Sequence, residues 1–207
     1  MVEMDLYVPP DATAPLPAVV IVAGYPGRFN TLEPVIAWAK HIQASEMIAV
    51  AYGNCELPVV LERVRTHAQI DATRIALFAI SGNVALALSA LCGMRCAALL
   101  YGCMLDLDER TTSFGFADPR TRFEDIPRDV PLLLVRAGRD QFAGINESID
   151  RFVANSLAHN LPVTLINHPE AQHSETTPEV VRQTLDFLRS HLAEKVAAPS
   201  TSSSARS

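Results

Sequence analysis

Four cysteines in 207 residues are too few and too irregularly spaced for a disulfide framework. Cys92 and Cys96 stand four apart, but no second ligand pair accompanies them, so no metal site is expected. Together with Cys55 and Cys103 they read as reduced, mostly core thiols. Basic charge is also short: 17 Lys and Arg face 23 Asp and Glu, a net of −6. Without a basic cluster the chain lacks the electrostatic footprint of a nucleic-acid binder. No stretch approaches the ~20 uninterrupted apolar residues that a membrane span requires. Residues 1–10 carry Glu3 and Asp5 where a secretory leader would have basic residues and an apolar run. A cytoplasmic protein is the expectation. The P-loop ending in Lys-Ser/Thr is missing, and so is GxGxxG.

What is present is apolar material in short pieces. Hydrophobic residues make up 49% of the chain and charged residues 19%, enough for one sizeable core. The expected organisation is one domain over 1–195. The Ser-, Ala- and Pro-rich 196–207 has almost nothing to bury and reads as a disordered tail. Continuously apolar runs at 17–23, 47–52, 74–79, 97–101, 131–136 and 162–166 fit strands buried on both faces. Residues 4–8 alternate instead, with Met4, Leu6 and Val8 against Asp5 and Tyr7, and predict a half-exposed edge strand. Helical periodicity lies between the runs. One helix is expected from Thr31 as N-cap, with Glu33 and Pro34 in its first turn and Val35, Ala39 and Ile42 on one face. Others carry Leu57, Leu61, Val64 and Ala68; Val84, Leu88 and Leu91; and Ile145, Ile149, Phe152 and Ser156. The last starts at Thr177 as N-cap, Pro178 following, and carries Val181, Leu185, Leu188 and Leu192. Such alternation predicts an α/β fold: a doubly wound, mostly parallel sheet with helices on both faces. Ligands then bind at the carboxyl ends of the strands.

Three strand ends carry residues that fit one chemistry. Run 74–79 leads into Ala79-Ile80-Ser81-Gly82-Asn83 and then a helix. That is the context of a nucleophile elbow, a strained turn that lifts a serine Oγ out of the sheet and wants small flanking residues. Ala79 is small; Asn83 is not. Ser81 read alone is equally an N-cap. Run 131–136 leads to Ala137-Gly138-Arg139-Asp140, and run 162–166 to a loop holding His168 and His173. A nucleophilic serine needs an imidazole to take its proton and a carboxylate to orient that imidazole. Ser81, Asp140 and His173 occur in the chain order this topology supplies. Alternatives are His168 as base, though Pro169 follows it directly, and Asp106 as acid. His41, His67, His159 and His191 fall in helical segments and read as surface residues. Gly82 is suited to donate a backbone N–H to an oxyanion, and the Gly24-Tyr25-Pro26-Gly27-Arg28 loop would give a second, from Gly24 or Tyr25. Gly24 and Arg28 are also candidate substrate contacts, Arg28 for a carboxylate, with a plain solvated arginine as the competing reading.

These residues resemble the α/β-hydrolase superfamily, and within it the compact dienelactone-hydrolase-like branch. The resemblance rests on 18–27, on 74–83, on 131–140 and on His173, and spans roughly residues 3 to 194. It implies Ser81 as nucleophile, Asp140 as acid and His173 as base. The Gly82 and Tyr25 amides would form the oxyanion hole, with no cofactor or metal required. The sequence departs from the family in three places. The elbow reads A-x-S-x-N where G-x-S-x-G is usual, Ala23-Gly24 replaces His-Gly, and serine stands where dienelactone hydrolases proper have cysteine. The opening hairpin strand and any large cap are missing, leaving about 30 residues, 102–131 with Phe114, Phe116 and Phe123, to shape a lid.

The function expected is hydrolysis of a small ester, lactone or thioester through an acyl-enzyme, with a small-molecule acyl substrate as the partner. An imidazole base predicts activity falling below about pH 6–7. Two other readings stand beside it: a peptidase or amidase using the same triad, and a non-catalytic binding or regulatory protein on a hydrolase fold.

Overall fold

A computed structural model describes residues 3–24, 27–105 and 121–194. Tyr25, Asp106, Phe114, Phe116 and the 196–207 tail lie outside the described residues. The apolar runs become strands β2 (Leu16–Ile21), β3 (Ile48–Gly53), β4 (Ile70–Ile80), β5 (Cys96–Leu100), β6 (Leu132–Ala137) and β7 (Val163–His168), preceded by β1 (Glu3–Tyr7). They form one sheet in the order β1-β3-β2-β4-β5-β6-β7. β1 runs antiparallel to β3, and every other pairing is parallel.

Between the strands lie α1 (Glu33–Gln43), α2 (Leu57–Arg65), α3 (Asn83–Leu88), α4 (Ile145–Ala158) and α5 (Pro178–Leu192). Side chains alternate across each strand, so the sheet separates two cores. Val20, Val50, Leu77 and Leu99 face α2, α3 and α4, which contribute Val60, Leu88 and Ile149. Val19, Ala51, Phe78 and Leu100 face α1 and α5, which contribute Trp38, Ile42 and Leu188. Burial on both sides explains why β2 to β6 read as unbroken apolar runs.

Five expectations need correction. The run at 162–166 is not buried on both faces: β7 is the edge strand, and Leu165 is 41% exposed. An edge position frees one face from helix cover, which the run's composition did not reveal. Thr31 does not cap α1. It ends a 3-10 turn (Phe29–Thr31), its hydroxyl donates to Arg28 O, and Leu32 holds the cap position. Ala68 lies past the end of α2 and is exposed, and Leu91, though buried, lies past the end of α3. β4 starts four residues before the apolar run, because its pairing with β2 slips between Leu16↔Ile70 and Ala18↔Ile75 and absorbs the polar residues there. Thr177 does cap α5, accepting the Val180 N–H at 3.2 Å.

The strand order locates the crevice. From β2 the chain crosses by α1 to β3 on one side, then returns by α2 past β2 to β4 on the other. The connections therefore diverge at β2 and β4, and the space beyond their carboxyl ends is the switch point where open α/β sheets bind ligands.

Candidate active site

Ser81 follows the last residue of β4 and precedes α3 by one glycine. Its φ is +58°, a left-handed conformation that a residue with a Cβ adopts at a cost of order 1–3 kcal/mol. The turn is held by its neighbours: Ser81 N–H donates to Leu100 O of β5 at 2.9 Å, and Val84 N–H donates back to Ser81 O at 3.1 Å.

The loops after β6 and β7 meet over this turn. Gly138 makes the meeting possible, because a Cβ there would collide with the backbone of Pro169. Gly138 N–H donates to His168 O at 2.8 Å and Arg139 N–H to Ala171 O at 2.9 Å. Arg139 and Glu170 add an exposed ion pair across the loops.

This approach brings three side chains into one row. Ser81 Oγ lies 2.8 Å from His173 Nε2, and His173 Nδ1 lies 2.7 Å from Asp140 Oδ2. The His173 side chain is 7% exposed and that of Asp140 1%. A carboxylate only accepts, so Nδ1 carries the proton and Nε2 is left to accept from the serine hydroxyl. The second Asp140 oxygen accepts the Phe142 N–H at 2.9 Å.

Sequence reasoning missed the residues that hold this row. Gln141 Oε1 accepts the His173 N–H at 3.1 Å. The Phe142 ring meets the imidazole edge-on at 4.7 Å between centroids. Tyr101, buried at the end of β5, donates its hydroxyl to Glu175 O at 2.9 Å and so ties down the histidine loop. On the other side, the Tyr52 hydroxyl accepts the Ala23 N–H at 2.9 Å and donates to Ala23 O at 3.0 Å. Burial pushes the Tyr52 phenol up to about 12. None of these has a local sequence signal, since each contact joins residues far apart in the chain.

The remaining candidates fall out differently. Gly82 caps α3, and its amide has no hydrogen-bond partner among the described residues. Gly24 is not an open donor: its N–H is committed to Asn83 Oδ1 at 2.7 Å. The Arg28 side chain is 73% exposed and paired with Glu3 at 3.5 Å. His168 ends β7 with Nε2 buried and unpartnered, bonded to neither Ser81 nor Asp140. Phe123 does not cover the site; it packs on Phe152 and His159 at α4. Beside Ser81 lies a cavity of about 300 Å³. Phe29, Val35, Trp38, Phe78 and Ile80 give it apolar walls, and Ser81, Asn83, Ser174 and Thr176 are its polar lining. None of its described lining residues is charged.

No protein-family model matches the sequence, and no curated protein matches it either. Solved structures do. An acetyl ester-xyloside bifunctional hydrolase from Caldicellulosiruptor lactoaceticus superposes with a TM-score of 0.70 at 16% identity, over 92% of this chain and 88% of that one. A dienelactone-hydrolase-like protein from Klebsiella pneumoniae gives 0.67 at 15% identity, over 91% of each chain. A thermophilic carboxylesterase, EstE1, cloned from a metagenomic library gives 0.68 at 17% identity, over 93% and 85%. The chain has the α/β-hydrolase fold. Within that fold Ser81 occupies the elbow between β4 and α3 that its sequence context predicts. Asn83 fills a place where a small residue is the rule, and turns inward to Gly24.

Proposed function

We propose that this chain is a serine hydrolase that cleaves small, uncharged carboxylic esters through an acyl-enzyme. The observation that carries the reading is the row Ser81–His173–Asp140, with contacts of 2.8 and 2.7 Å between groups from three separate loops. Ser81 Oγ attacks the ester carbonyl as its proton passes to His173 Nε2. Asp140 holds the imidazole in the required tautomer and stabilises the imidazolium. The open amide of Gly82 receives charge developing on the carbonyl oxygen. His173 then protonates the leaving alcohol, the C–O bond breaks, and Ser81 is left acylated. Water, deprotonated by the same imidazole, releases the acid and restores the serine.

The absence of charge in the described lining, with Arg28 turned to Glu3, supports an uncharged acyl group over one bearing a carboxylate. The acetyl-ester and carboxylester activities named for two of the structural neighbours belong to the same class. The test is labelling with a fluorophosphonate followed by peptide mapping. Modification is expected at Ser81 and is lost in Ser81→Ala and His173→Ala. A folded parent protein that stays unlabelled, and turns over no member of a short-chain aryl ester panel, sinks the reading.

A further inference from the structure

An ester hydrolase needs at least two donors aimed at the developing oxyanion, and one of the two amides considered for the loop after β2, that of Gly24, is already taken. Gly24 sits on the loop after β2, which the elbow faces, but its N–H is spent on Asn83 Oδ1 at 2.7 Å. That bond fixes the Asn83 carboxamide. The group facing a backbone N–H must be the oxygen, so Nδ2 lies on the opposite side. Asn83 is 6% exposed and lines the same cavity as Ser81. Its Nδ2 has no partner among the described residues, yet is not one of the polar atoms sealed in the core. A donor held in one orientation, without a partner among the described residues and on a side chain that lines the nucleophile's cavity, is placed to meet an acceptor there.

We propose that Asn83 Nδ2 donates a hydrogen bond to the substrate's carbonyl oxygen and to the oxyanion it becomes. The inference rests on the ester-hydrolase reading. It gives the misfit at the elbow a role: a side-chain donor joins the Gly82 amide in the oxyanion hole. As tetrahedral charge builds, the N–H bond shortens and strengthens in a site that Asn83 enters already oriented, with no reorganisation at the moment of reaction.

Asn83→Asp separates donation from support, because its carboxylate still accepts the Gly24 N–H while offering the substrate no donor. Asn83→Ala removes both. Each is compared with the parent for turnover of p-nitrophenyl butyrate, for the rate of fluorophosphonate labelling at Ser81, and for thermal unfolding. Both variants are expected to lose about 10²–10³-fold in kcat, with KM within about threefold, and to be labelled correspondingly more slowly. Labelling must slow because the phosphonyl oxygen takes the oxyanion's place. If either folded variant keeps kcat within about threefold, or loses activity only in proportion to its unfolded fraction, the proposal is overturned. A parent that resists labelling and turns over no ester overturns the hydrolase reading itself; a labelled parent matched by its Asn83 variants overturns only this inference.

Discussion

Asp140 uses both carboxylate oxygens, one for His173 Nδ1–H at 2.7 Å and the other for Phe142 N–H at 2.9 Å. Asn cannot satisfy both, since one of its two positions becomes a donor. In Asp140→Asn either the Phe142 amide faces an N–H or the imidazole adopts the other tautomer. The second outcome puts a proton on Nε2, where it can no longer accept from Ser81. Steady-state kinetics on Asp140→Asn should show kcat lower by about 10⁴-fold, with the unfolding midpoint little changed. At this scale the sequence put Ser81, Asp140 and His173 at strand ends, and the structure brings the three side chains into contact. The sequence left Arg28 open between a substrate contact and a solvated side chain, and the structure shows the side chain exposed beside Glu3. The sequence was silent on Gln141 and Phe142, which act through a backbone bond and a ring edge that no residue type announces.

The elements most exposed to a small change are the loops after β6 and β7. Their contact passes over Gly138, where any Cβ meets Pro169 backbone, and rigid backbone yields less readily than a side chain. Gly138→Ala must therefore separate the loop bearing Asp140 from the one bearing His173. Urea unfolding should register a loss of about 1–3 kcal/mol, as for other overpacked sites. Stopped assays should find kcat reduced well beyond what the remaining folded fraction explains, because a shift near 1 Å in a reacting geometry costs about 100-fold. Apolar runs and helical periods predicted every one of these strands and helices, because burial on two faces dictates composition locally. They did not predict that β7 is half exposed, or that α1 begins past Thr31. Both depend on what packs alongside.

Across the whole molecule the candidate site lies at the carboxyl ends of the strands, and a separate polar tie lies at the start of β4. Asp71, at the start of β4, accepts from Thr73 N–H and Oγ at 2.9 and 2.7 Å and from Arg74 Nε at 2.6 Å. Arg74 in turn reaches Pro15 O and Glu194. The Thr73 bonds lead in holding the Asp71 carboxyl down to about 2, with Arg74 adding to them. A carboxylate lowered on folding stabilises the native state at pH values above its ordinary unfolded pKa, near 4. That stabilisation is lost as pH falls through about 2. Urea titrations from pH 5 to pH 2 should show a steeper acid decline in the parent than in Asp71→Asn, while turnover at neutral pH stays the same. Parallel declines would mean the tie contributes nothing.

The sequence by itself determined the layers of this protein and the rim where its chemistry can sit. Hydrophobic period and run length act over a few residues, and they decide which segments become buried strands and which become amphipathic helices. Only the tertiary structure decided that Ser81 and His173, 92 positions apart, lie 2.8 Å from each other, and that Asn83 reaches Gly24 across 59. Contacts of that kind depend on strand order, register and the closeness of two loops, quantities set by the packing of the whole sheet rather than by any stretch of chain.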